Sequence, residues 1–267
     1  MALTREGRAL TEAHRKQQLA IAARSARVSQ SLWSRLRVSD LDASKGAWVG
    51  AQVAALELGF SESQALAAEY VAQYRLAEGV AAGAFVAPRF PKAEMTQAML
   101  VAGPIRVKNL IGKGRSADSA HAGAFNQFSG IVRRQVLSGG RMAIDATTAS
   151  DQKAIGWRRV TDGNPCTFCA MLASRGPVYQ AKTAQGDVMR PSRGGGEKLL
   201  YHGHCGCTAE IVYGEWIPNE REQLYIDEYE KAAKMADADG EPRTQETVLW
   251  RMRENGIFRD SPLSRNK

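Results

Sequence analysis

Long apolar runs are missing from this chain. No stretch approaches the ~20 consecutive apolar residues that a bilayer-spanning helix needs, so no membrane partner is expected. The start, Met1-Ala-Leu-Thr-Arg-Glu-Gly-Arg8, is polar and leads into no apolar h-region, which argues against a secretory signal. A chain kept in a reducing cytosol is not expected to rely on structural disulfides. Cysteine and histidine are rare, at four residues each among 267. Several enzyme signatures are absent too. The H-E-x-x-H of a metalloprotease does not occur. Pro165-Cys-Thr-Phe-Cys169 matches the P-C-x-x-C half of the zinc deaminase pattern, but the H-x-E half is missing, because His121 is followed by Ala122-Gly123. Gly112-Lys-Gly-Arg-Ser116 lacks the G-x4-G-K-[ST] spacing of a phosphate loop. No Ser-His-Asp arrangement can be singled out. His14, on the first predicted helix, reads as a solvated surface residue rather than a base.

What is present is concentrated. Every cysteine lies in one of two knuckles, Cys166-Thr-Phe-Cys169 and His202-Gly-His-Cys-Gly-Cys207, and the second also carries two of the four histidines. A C-x2-C turn can aim two thiolates at one ion, and C-x-C on a strand puts both side chains on one face. Together they can supply a tetrahedral, sulfur-rich site, which suits zinc. Six potential ligands compete for four places. Cys166 and Cys169 come first, then Cys207 and Cys205, then His202, which lies three residues before Cys205 and could replace a thiolate; His204 would face the other way on a strand. Closing the ~35-residue loop between the knuckles costs several kcal/mol of entropy. A structural zinc, at about 10 kcal/mol in small domains, offsets that. Four free buried cysteines, or a disulfide, are the competing readings.

Hydrophobic content of 44% and the chain length allow two modest domains, or one with extensions. The formal net charge is +8 and the pI about 9.5, which favours anionic partners such as nucleic acid. The densest basic patches are Arg133-Arg134, Arg158-Arg159 and Arg190-Pro-Ser-Arg193, whereas the region after Trp216 is slightly acidic.

The pattern predicts an α+β chain, predominantly helical. Residues 1–78 form an N-terminal helical region. Leu10, Ala13, Gln17, Ile21, Ser25, Val28, Leu32 and Leu36 mark the stripe of one long helix. Ser44 caps a second helix to about Leu58, and the capping box Ser61-Glu-Ser-Gln64 starts a third, with Leu66, Tyr70, Val71 and Tyr74 on one face. Residues 79–153 hold a Gly/Ala/Pro connector to Pro91, two short helices broken at Gly103-Pro104, and a helix from about Ala117 to Leu137 that ends at Gly139-Gly140, with helical character resuming over Ile144–Ser150. Residues 154–213 form a small zinc-stapled α/β module: a strand at Ile155–Val160, a helix at Phe168–Ser174, a short strand at Pro177–Tyr179, a basic loop from Thr183 to Lys198 and a strand at Cys205–Tyr213. Residues 214–267 add two helices, one capped at Asn219 and one begun at Pro242, and a tail, Arg259–Lys267, that is loose or held by a partner.

Cys166-x-x-Cys169, Leu172, Arg175-Gly176, Tyr179 and His202-x-x-Cys205-x-Cys207 together resemble the C-terminal motif of the phage Mu F-like minor head proteins, of the kind found in phages of actinobacteria. The resemblance covers roughly residues 120–213. The family often has a basic residue where this chain has Gly206. The resemblance implies a structural, non-enzymatic minor capsid protein of a tailed phage. Such a protein would be made in the host cytoplasm and bound to the portal protein inside the head, facing the major capsid protein. It would act in head assembly or in DNA packaging or ejection, with packaged double-stranded DNA as a further partner. Some relatives are fused to a maturation protease, and domains of this kind also occur near effector modules. The rival from another class is a zinc-stapled nuclease, with His202 and His204 at its site and Asp187 or Glu197 beside them.

Overall fold

The structure, a computed structural model, describes residues 4–178, 201–203 and 205–261. It is predominantly helical with one small sheet. Three long helices carry it: α1 (Arg5–Trp33), α2 (Leu41–Ala77) and α5 (Ala117–Ser150). Between them lie α3 (Lys92–Leu100), a π-turn at Val101–Ile105 and α4 (Arg106–Gly112). Then come β1 (Gly156–Val160), α6 (Thr167–Ala173), β2 (Thr208–Val212), α7 (Glu220–Ala238) and α8 (Gln245–Glu254). No described helix is long and apolar enough to cross a membrane.

Each long helix starts on a side-chain cap. Thr4, Asp40 and Ser116 accept from the backbone N–H groups of Gly7, Ala43 and Ser119, which satisfies donors that a helix start leaves free. The buried stripe of α1 is rotated from the predicted one. It runs through Thr11, His14, Gln18, Ile21, Ala22, Ser29 and Trp33, while Ala13, Gln17 and Val28 are exposed. His14, expected at the surface, is 2% exposed and stacks on Tyr70 at 4.3 Å.

The two predicted breaks in the long helices are continuous helix. α2 runs without interruption for 37 residues through Ser61-Glu-Ser-Gln64. The Ser63 hydroxyl donates to Gln18 Oε1 at 2.7 Å and accepts from the Gly140 N–H at 2.9 Å, so it joins α1, α2 and α5 rather than capping a new helix. α5 likewise runs for 34 residues through Gly139-Gly140. A Cβ on Gly139 would lie 2.2 Å from the Phe60 carbonyl oxygen. The two glycines therefore mark where α5 crosses α2 at close range, not a helix stop. At the other predicted break, Gly103-Pro104, the helix loosens into the π-turn, as expected where proline removes a ladder bond.

Two apolar clusters form the core. One gathers Trp33, Trp48, Phe60, Met95, Met99, Phe128 and Val132 among the helices. The other gathers Tyr70, Tyr74, Ile144, the cysteines, β1, α6, β2, α7 and α8. α2 and α5 run through both. The sheet has two antiparallel strands with Trp157 opposite Ile211 and Arg158 opposite Glu210. Two strands alone are marginal in water. Here Trp157 Nε1 donates to Asp145 of α5 at 2.7 Å and Tyr74 donates to the Ile211 carbonyl at 3.0 Å, so the helices hold the sheet.

Remaining differences are local. β2 begins at Thr208, so Cys205 and Cys207 precede the strand instead of lying on it. Pro177 and Val178 are not in a strand. α8 is capped by Thr244, two residues after Pro242. The predicted tail is not loose at its start: Asp260 Oδ1 accepts from the Thr167 N–H at 2.6 Å, and Ser261 is buried. The predicted basic loop with Asp187, Arg190, Arg193 and Glu197, together with Tyr179, His204 and the last residues of the tail, lies outside the described residues.

Candidate metal centre

The first knuckle is shaped by a turn and a short helix. Gly163 has φ +90°, and the Asn164 N–H donates to Asp162 Oδ1 at 3.2 Å, which reverses the chain after β1. Cys166 then stands at the N-cap of α6 and Cys169 on its first turn, one turn apart on the same side. Asp260 accepts from the Thr167 N–H and hydroxyl at 2.6 and 2.7 Å. Its carboxylate thus fills the role of the missing side-chain cap. The second knuckle reaches the first from the other side of the loop. Cys166 Sγ lies 2.9 Å and Cys169 Sγ 3.5 Å from His202 Nε2, and Cys169 Sγ lies 3.4 Å from Cys205 Sγ.

All four cysteines are free and buried. Their donor atoms form two triads, Cys166–Cys169–His202 and Cys169–Cys205–Cys207, each with all its ligand atoms within 4.8 Å of one another. Four thiolates 2.3 Å from a tetrahedral ion would stand about 3.8 Å apart. The observed separations are close to that spacing, so the donors fit a metal ion. All five predicted ligand residues are brought together, and Cys169 alone belongs to both triads. His202, placed last by the sequence pattern, sits directly against Cys166.

The cluster divides its charge unevenly. The neighbouring Cys169 thiol and, with it, His202 pull Cys166 down to about 5, against the opposing effect of burial. The same contact with Cys166 raises His202 to about 9. Cys205 is held well below its usual range by its contacts with Cys169 and Cys207, aided by Arg141 and Arg159. Thiolate, the form that binds metal, is thus favoured at Cys166 and Cys205, whereas Cys169 is pushed up by its contacts with the three other thiols and by burial, and Cys207, against its contact with Cys169, is pushed up to about 12 by Cys205 and burial.

Three residues around the cluster carry no sequence motif. Arg159, 1% exposed, directs Nη1 at Cys169 Sγ and Cys205 Sγ at 3.7 and 3.8 Å. Arg141 of α5 donates to the carbonyls of Cys205 and Cys207 at 3.1 and 2.7 Å. The Tyr201 ring lies between the two guanidinium groups, 3.8 Å from each. Such outer partners orient ligands and offset their charge. Their only advance signal is the arginine pair at 158–159, which the sequence presents as a basic patch for anionic partners. That expectation is corrected for both members. Arg158 is buried in ion pairs with Glu210, at 2.7 Å, and with Glu222. Gly206, where relatives of the resembled family often carry a basic residue, packs on Asp162: a Cβ there would lie 2.6 Å from its Oδ2.

No curated protein and no solved structure matches the chain. The VG15 protein family model matches residues 6–233, a span that takes in all three long helices, both strands and both knuckles. The chain therefore belongs to the VG15 protein family, which marks it as a phage-encoded protein.

Proposed function

We propose that this phage protein is a structural minor capsid protein, bound to the portal inside the head, and that its two knuckles hold one structural zinc ion. The observation that carries the reading is the enclosure of the cysteine–histidine cluster. Its four sulfurs belong to residues at most 6% exposed. The cavity beside Cys207 has a volume of about 10 Å³, room for one water and no substrate. A closed site of thiolates and imidazole suits zinc and serves folding. Cys166, Cys169 and Cys205 are its core ligands, with His202 or Cys207 completing the tetrahedron. The protein's work then lies on its surfaces. Exposed Arg27 on α1 and Arg35 just beyond its end supply positive charge facing away from the core, suited to an acidic portal surface or to phosphates; Arg24 beside them pairs with Glu62 at 2.9 Å.

The test is co-expression with the portal protein of the same phage, followed by portal pull-down and metal analysis of the captured chain. Recovery with the portal at about one zinc per chain is expected. Failure to associate with portal or procapsid would overturn the assembly role. Magnesium-dependent plasmid nicking that disappears in a folded His204→Ala variant would favour a nuclease instead.

A further inference from the structure

The family match ends at residue 233, and the chain beyond it returns to the first knuckle. α8 ends just before Gly256, whose φ of +76° is the left-handed turn that closes many helices. Phe258 is then buried against Tyr225 at a centroid distance of 5.9 Å, and Ser261 is fully buried. Between these two anchors the chain grips both neighbours of Cys166. The Arg259 N–H donates to the Pro165 carbonyl at 3.3 Å. Asp260 Oδ1 accepts from the Thr167 N–H at 2.6 Å and from its hydroxyl at 2.7 Å. Arg253 of α8 donates to the other carboxylate oxygen at 3.3 Å, which fixes the direction of the group.

The grip bears on a weak element. α6 has seven residues, and a helix that short is marginal unless tertiary contacts hold it. Cys166 stands at its N-cap but makes no side-chain bond to the first turn. The Asp260 carboxylate supplies that acceptor, with the sign of charge that a helix start favours. Cys166 and Cys169 stand one turn apart only while this turn is wound. Unwinding it separates two donors of the Cys166–Cys169–His202 triad. The four cysteines are at most 6% exposed, so a chelator in solution reaches the ion only through a local opening. The Asp260 side chain keeps 31% of its surface exposed, so it can be changed without hollowing the core.

We propose that residues 258–261 are a latch on the metal centre. Asp260, acting through Thr167, is a positioning residue that keeps Cys166 and Cys169 paired and so sets the rate at which the ion is released. The latch rests on the zinc reading, and one experiment separates the two. The full chain and its variants are loaded with zinc, and release to an excess of a chromogenic chelator is followed by absorbance. Uptake of about one zinc per chain by the wild type supports the metal reading; a wild type that takes up none refutes that reading and the latch with it. Asp260→Ala is expected to take up the same zinc and to release it about five- to tenfold faster, as for loss of a helix cap. Asp260→Asn keeps an acceptor of similar capping strength and should stay within about twofold of the wild type. Met99→Ala lowers stability at least as much, but in the other apolar cluster, and should leave the release rate unchanged. The latch is excluded if Asp260→Ala releases at the wild-type rate, if Asp260→Asn is as fast as Asp260→Ala, or if Met99→Ala accelerates release equally. Should Asp260→Ala fail to fold, Thr167→Val, which removes only the hydroxyl donor, decides. Release about threefold faster supports the latch, and the wild-type rate overturns it.

Discussion

Cys169 carries more of the centre than its neighbours because it alone belongs to both donor triads. Cys169→Ser is expected to abolish metal retention and lower stability by several kcal/mol, on the order of half the value of a structural zinc. Cys207→Ser leaves the Cys166–Cys169–His202 triad intact and should keep most of the metal. Metal-to-protein ratios after gel filtration distinguish the two; equal retention by both variants would contradict the shared role. His14 sets a second expectation. Burial lowers it from 6.5 to about 3. The unfolded chain therefore binds a proton near pH 6.5 that the folded chain refuses. The stability this contributes is fully present above pH 6.5 and is lost as pH falls toward 3, on the order of 5 kcal/mol in all. His14→Phe keeps a ring against Tyr70 and removes the titration. Its melting temperature should fall less than the wild type's between pH 7 and pH 5.

Between elements, glycines decide how closely helices approach. Gly139→Ala would push a methyl group into the Phe60 carbonyl and is expected to destabilise by about 1–3 kcal/mol. Gly46→Ala, also within a helix but with nothing within 4 Å of the added carbon, should stabilise by about 0.5–1 kcal/mol through helix propensity. Chemical denaturation of the two variants gives opposite signs if the crossing is as described. The same contrast explains which elements were legible. The Asn219 capping box, the strand at residues 156–160 and the short helix after Cys166 obey local rules, and the structure keeps them. Ser61-Glu-Ser-Gln64 and Gly139-Gly140 also carry valid local signals, for a cap and a stop. Both were overridden because Ser63 and the glycines meet another helix there, and a local pattern holds no record of its tertiary partner.

Across the whole molecule, a buried polar chain ties distant segments together. Arg158 on β1 pairs with Glu210 on β2 and Glu222 on α7; Glu210 also accepts from Thr11 on α1 at 2.7 Å, and Thr11 meets Tyr70 of α2 at 2.8 Å. Removing one member strands the others. Arg158→Met leaves two buried carboxylates without their cation and should cost about 3–5 kcal/mol, measurable by denaturation. Because this chain of bonds passes through Glu210 on β2, the strand that follows Cys207, loss of the metal should be felt beyond the knuckles. Chelation is expected to raise hydrogen exchange first at residues 155–213 and then in the first half of α1, while the Trp33–Trp48–Phe128 cluster stays protected. Uniform loss of protection across the chain would refute two separable core clusters.

The sequence by itself determined the donors and the helical character. Thiols confined to two knuckles can converge on one ion wherever the chain runs, and helical periodicity is a property of neighbours three and four residues apart. The tertiary structure decided the rest. It settled that two apparent breaks are continuous helix, that His14, Arg158 and Arg159 are buried, and that Asp260 caps the knuckle helix from 93 residues away. Each of these depends on a group brought from afar. Burial, charge compensation and close backbone approach are properties of pairs in space, and the spacing of residues along a chain does not encode them.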